Sequence, residues 1–151
     1  ISDRASQMAI WNCKLQATQT ADGIGALSVA RVSGGQLTLG TNSAGNSMSV
    51  NAIPWGVAGA NFRVLNVFDK GQILHSGNCH VSGTGCNTFF FGNEGTYNRH
   101  STFLPVFTFD DTFAGRRFYI QNGGRAMTQG GGDSFFPGTF AGSVIDTPMY
   151  S

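Results

Sequence analysis

The chain has 151 residues, 22 of them Gly and 13 Phe; only 11% are charged and the net charge is +1 at neutral pH. That length suits one domain with a real core. The balanced charge, with no basic run, excludes a phosphate-tracking surface, and no apolar run is long enough to span a bilayer. A charge-poor, Gly-rich composition fits β-structure with tight turns and a surface largely covered by copies of itself. A secreted monomer coated in Ser, Thr, Asn and Gly is the alternative.

A polar lead-in over residues 1–7, with no leader segment as expected of a processed form, is followed by a five-step alternation. Ala9, Trp11, Cys13, Leu15 and Ala17 are apolar, with Asn12, Lys14, Gln16 and Thr18 between them. Period two predicts a half-buried strand, and only Ile10 breaks it. A loop-like stretch over 20–25 then acts as a Gly-bearing hinge. The division predicted is an N-terminal extension over 1–18 and a β-body over 19–151. Strands are predicted at 27–32, 36–40, 47–51, 60–68 and 72–75, with a turn or bulge at Pro54. Phe89-Phe-Phe91 faces a core on both sides or an interface. Residues 102–109 form a strand that Pro105 confines to an edge or bulge. Arg117–Ile120 and Arg125–Met127 flank Asn122-Gly123, a strong hairpin signal. Gly130–Asp133 reads as a flexible loop, and 138–145 as the last strand. No segment has helical spacing, and turn residues recur at intervals of about ten, the rhythm of a sandwich or barrel. No internal repeat is evident.

Cys79 and Cys86 bracket a Gly-rich turn, a spacing that a disulfide across a hairpin closes easily; the bond implies an oxidising compartment. Cys13 is then the odd thiol, either a small buried hydrophobe or a bond to another subunit or another cysteine. Most carboxylates sit in predicted turns, where Asp caps backbone amides. His75, Cys79, His80 and Cys86 form the only cluster of ligand-type residues, and their spacing matches no common zinc site, so no metal and no cofactor is expected. No nucleophile elbow, phosphate loop or dinucleotide fingerprint occurs, and an enzyme is not expected. Arg116-Arg117 reads as solvated surface. Trp11, Trp55 and Tyr97 are either sugar-stacking rings or ordinary core.

Three stretches resemble the Gly-rich pilin-like domains secreted by bacteria, related to chaperone–usher pilins. They are 17–22 with 35–40; 44–50 with 60–64; and 119–127 with 136–144. The resemblance implies an all-β, immunoglobulin-like antiparallel sandwich, incomplete and completed by the N-terminal strand of a neighbouring subunit. Ala9, Trp11, Cys13, Leu15 and Ala17 would be the donor strand, with Trp11 and Leu15 as the largest plugs. The function expected is a structural subunit of an extracellular pilus or fibre, assembled by donor-strand exchange and serving adhesion or biofilm scaffolding. Its partners would be copies of itself, with a periplasmic chaperone and an outer-membrane usher, and neither nucleic acid nor membrane. A virus or phage coat protein and a secreted carbohydrate-binding module are the rivals.

Overall fold

A computed structural model describes residues 7–11, 13–19, 28–40, 45–53, 56–57 and 60–145. The hinge expected at 20–25, Pro54, Trp55 and the side chain of Trp11 lie outside the described residues. Among the described residues there are thirteen strands: β1 (Gln7–Trp11), β2 (Lys14–Thr18), β3 (Ser28–Ser33), β4 (Gln36–Gly40), β5 (Asn46–Asn51), β6 (Arg63–Phe68), β7 (Gln72–His75), β8 (Cys79–Asn93), β9 (Thr96–Arg99), β10 (Phe107–Phe109), β11 (Ala114–Gln121), β12 (Arg125–Met127) and β13 (Ser143–Ile145).

Every pairing between these strands is parallel. The first face is β1-β4-β7-β9-β12. A second stacks β2, β5, the start of β8 and β10. The third stacks β3, β6, the end of β8, β11 and β13. The described strands therefore wind as a β-solenoid of five coils; the first four visit the three faces in turn, and the last, with β12 and β13, has no strand on the second face. This overturns the antiparallel immunoglobulin-like sandwich expected from the sequence, and with it the empty groove awaiting a neighbour's strand. Turn residues show that a chain bends; they do not show which strand it meets next.

The bend at Asn122-Gly123 makes the point. Both residues have positive φ, 51° and 72°, as an Asn-Gly turn requires. Yet β11 and β12 do not pair across it, because the turn is a corner between the third face and the next coil's first face. Equivalent corners end in Gly35, Gly71, Gly95 and Gly124, each just before a first-face strand. A Cβ on Gly95 would stand 2.5 Å from a Val67 methyl and 2.7 Å from its backbone, because this corner lies directly on the coil beneath. The backbone amides of Gln72, Thr96 and Arg125 donate to the carbonyls of Gly35, Gly71 and Gly95.

The repeat escapes inspection because its period drifts. Gln7, Gln36, Gln72, Thr96 and Arg125 are in register, which makes successive coils 29, 36, 24 and 29 residues long. Inward side chains stack from coil to coil. Leu37, Ile73 and Tyr97 form one buried ladder, and Ile10, Leu39, His75 and Arg99 another. Phe135 and Phe136 enter from the loop after β12 and fill the interior against Tyr97, Phe90 and Phe107. The Phe90 and Phe136 rings stack at 5.1 Å.

The single N-terminal strand is in fact two. β1 ends at Trp11 and β2 begins at Lys14 on another face, with the phase of the alternation reversed. Ile10, the residue that broke the sequence pattern, is the buried one; Ala9 and Cys13 are exposed, and Leu15 and Ala17 half-buried. Both strands pair within their own chain, β1 on β4 and β2 on β5. They are the first coil of the body, not a detached extension.

Candidate functional site

The third face carries the densest polar chemistry. Two successive residues turn inward where the chain bends onto this face: Val64 with Leu65, and Phe89 with Phe90, all fully buried. The slip brings Arg63 and Arg116 round to the outer side that also carries Asn66, Phe91 and Tyr119. Arg31, Asn66, Phe91 and Tyr119 align in register across four coils, about 4.8 Å apart.

The arginines lie on rings. The Arg63 guanidinium carbon is 3.6 Å from the Phe91 centroid, that of Arg116 is 4.3 Å from Tyr119, and that of Arg31 is 4.7 Å from Phe68. Phe91 and Tyr119 stack on one another at 5.7 Å. Stacking fixes a guanidinium in place and uses its faces, leaving its N–H groups in the plane to donate sideways. Arg116 spends Nε and one terminal nitrogen on Thr88 Oγ1, at 3.2 and 3.0 Å. Arg63 makes no hydrogen bond to a described residue. Burial pushes its pKa down from the ordinary arginine value; Arg31 adds to that, while Tyr119 opposes it.

Between these rows runs a groove of about 410 Å³, lined by Arg31, Arg63, Asn66, Phe68, Phe91, Asn93 and Gln121. Among the described residues, no carboxylate lines it. Asn66 is 4% exposed, and its buried Oδ1 has no hydrogen-bond partner. The groove thus offers in-plane donors on Arg63 and an acceptor on Asn66, both unused.

The residues singled out in the sequence lie elsewhere. Ala9, Trp11, Cys13, Leu15 and Ala17 belong to the first coil. Cys79 and Cys86 are separate buried thiols in β8, so the disulfide expected between them is not formed. β8 bends at Gly83 and Gly85 but does not fold back as a hairpin: Cys79–Ser82 pairs with β5, and its later residues pair with β6 and β11. Burial pushes the Cys79 thiol up to about 12 and raises Cys86 as well. The oxidising compartment loses that support. Tyr97 is core, and its hydroxyl meets His75 Nδ1. Among the described residues, no three His, Cys, Asp or Glu side chains come together as metal ligands.

A second polar cluster crosses the middle face. His80 Nε2 is 3.4 Å from Asp110 Oδ1, and His80 Nδ1 is 3.0 Å from Thr108 Oγ1. The order Asp–His–Thr is that of a nucleophile relay. Here His80 and Asp110 are 51% and 47% exposed, and the three residues lie outside the groove of the third face. The cluster links β8 to β10.

Sequence reasoning set Arg116 aside as solvated surface. The signal available was arginine bias: seven Arg to two Lys in a charge-poor chain. Arg is the cation that stacks on rings and makes paired hydrogen bonds.

No family model, curated protein or solved structure matches this chain.

Proposed function

We propose that this chain is a non-catalytic carbohydrate-binding module that holds an extended polysaccharide along its third face. The observation that carries the reading is the pair of unused groups in one groove, Arg63 as donor and Asn66 as acceptor, flanked by stacked arginines. Hydroxyl-rich ligands both donate and accept, so they can satisfy both. The face repeats its chemistry about every 4.8 Å along the coils, which suits a polymer lying along the axis better than a compact metabolite. Arginine also covers one face of Phe91, Tyr119 and Phe68. Those faces are closed to nucleobases, which single-stranded nucleic-acid sites stack on open rings. A rigid solenoid suits such a role because its contact residues stand on strands and not on loops. We place the module outside the cell, where polysaccharide is met. The test is electrophoresis of the native chain through gels containing neutral, carboxylated or sulfated polysaccharides. Retardation in at least one gel, abolished by Arg63→Ala with Arg116→Ala, is expected; unhindered migration in all of them would end the proposal.

A second observation favours self-assembly, in a form other than strand donation. Apolar openings occur at both ends of the described coils. One, of about 240 Å³, is walled by Met8, Ile10, Leu15 and Val29. The other, of about 190 Å³, is walled by Phe118, Ile120, Phe136 and Val144. Open strand edges there can continue the parallel register into another copy. Light scattering that reports growing, concentration-dependent oligomers, blocked by Val144→Lys, supports end-on stacking. A monomer at all concentrations excludes it.

A further inference from the structure

We infer that the groove seats a uronic-acid residue, with its carboxylate on the Arg63 guanidinium edge and a ring hydroxyl given to Asn66 Oδ1. This rests on the polysaccharide reading above and names the sugar class.

Three features converge on it. First, the Arg63 guanidinium carbon sits over the Phe91 ring, 3.6 Å from its centroid, and Arg63 finds no acceptor among the described residues. A clamped guanidinium presents two parallel N–H groups in its plane, the geometry that receives a planar carboxylate in bidentate fashion. Second, among the described residues no carboxylate lines the groove beside Arg63. The one ion pair between described residues, His80 with Asp110, lies on another face. An anion entering the groove meets Arg63 with no described carboxylate to repel it. Third, Asn66 is buried beside these cations with its Oδ1 unpaired. A bare anion would leave that acceptor without a donor. The ligand must therefore carry a donor close to its negative group.

A hydroxylated ring bearing a carboxylate meets all three conditions. A sulfate ester meets them less well. It brings three outward oxygens to an edge that matches two.

The test is isothermal titration calorimetry on the full chain. The probes are trisaccharides of galacturonate, mannuronate, guluronate and glucuronate, their methyl esters, a sulfated trisaccharide, a neutral trisaccharide and a ten-residue thymidine strand. At least one uronate is expected to bind, with its methyl ester about tenfold or more weaker. Arg63→Gln and Asn66→Leu are expected to weaken that uronate by a similar factor, while Arg125→Gln, outside the groove, leaves it unchanged. Arg63→Lys keeps the charge without the fork and should also lose most of the affinity; it stands in if Arg63→Gln does not fold. Esters or neutral sugars binding as well as free acids would overturn the carboxylate assignment and leave the polysaccharide reading intact, as would a preference for the sulfated sugar. Undiminished binding by Arg63→Gln, Arg63→Lys and Asn66→Leu would overturn the site. Failure of every saccharide, or binding of the thymidine strand alone, would overturn both readings.

Discussion

The buried imidazole of His75 makes stability depend on acid in a calculable way. The ring is fully buried, stacked on Phe107 at 4.4 Å and joined through Nδ1 to the Tyr97 hydroxyl. Burial is the main reason its pKa falls to about 4; Arg99 adds to the shift, and the Gly77 backbone opposes it. In the unfolded chain the same ring titrates near its ordinary 6.5. Between those values the unfolded state binds a proton that the folded state refuses. Stability therefore rises with pH across that window, is at its full value above about 6.5, and falls as the pH drops to 4. A gap of 2.5 units corresponds to about 3 kcal/mol lost by pH 4. For a chain of this size that is a drop of roughly 10 °C in melting temperature. The perturbation is His75→Phe with Tyr97→Phe, which removes both hydrogen-bonding partners while keeping ring volume, so that no buried hydroxyl is stranded. The assay is urea unfolding of both proteins at pH 7, 5.5 and 4. The wild type should lose about 3 kcal/mol more than the double variant over that range. Equal losses would show that His75 is protonated in the fold, and would refute its placement in a dry core.

Other outcomes follow from the same packing. Gly95→Ala should destabilise by about 1–3 kcal/mol, because its Cβ would collide with Val67 of the coil beneath; Gly123→Ala, with open space around it, should cost less despite its φ of 72°. Comparative thermal unfolding checks the pair. Phe90→Ala should cost about 3–5 kcal/mol, since Phe90 is fully buried against Phe136, and denaturant midpoints measure it. A thiol reagent should label Cys13 quickly in the native protein and reach Cys79 and Cys86 only on denaturation without reductant. Two thiols missing from the denatured count would restore the disulfide.

Strands were legible wherever one face is buried and one is wet. The alternations at 36–40, 47–51 and 72–75 appear as β4, β5 and β7 almost residue for residue. Corners were legible too, since Asp69-Lys70, just before Gly71, and Asn122-Gly123 both bend with positive φ. Partnership was not legible. A solenoid corner and a hairpin turn use the same residues, and coils drifting between 24 and 36 residues hide the repeat that would separate them. A common mark did exist, a Gly followed by a strand opening: Gly35-Gln-Leu, Gly71-Gln-Ile, Gly95-Thr-Tyr and Gly124-Arg-Ala. The continuous alternation from Ala9 to Ala17 concealed the change of face between β1 and β2, because two short strands with a phase change between them read as one. The groove could not be read at all. It forms only when Arg31, Arg63, Phe91 and Gln121, scattered along the sequence, are stacked by parallel pairing.

The most direct test of the central claim, that this stacked face binds saccharide, is heteronuclear NMR of the labelled chain titrated with the uronate trisaccharides. The account predicts shifts concentrated at the Arg63 side-chain Nε and at the backbone amides of Asn66, Phe91 and Asn93, with the His80–Asp110 face unmoved. A spectrum that stays unchanged, or that moves only away from those residues, would contradict it.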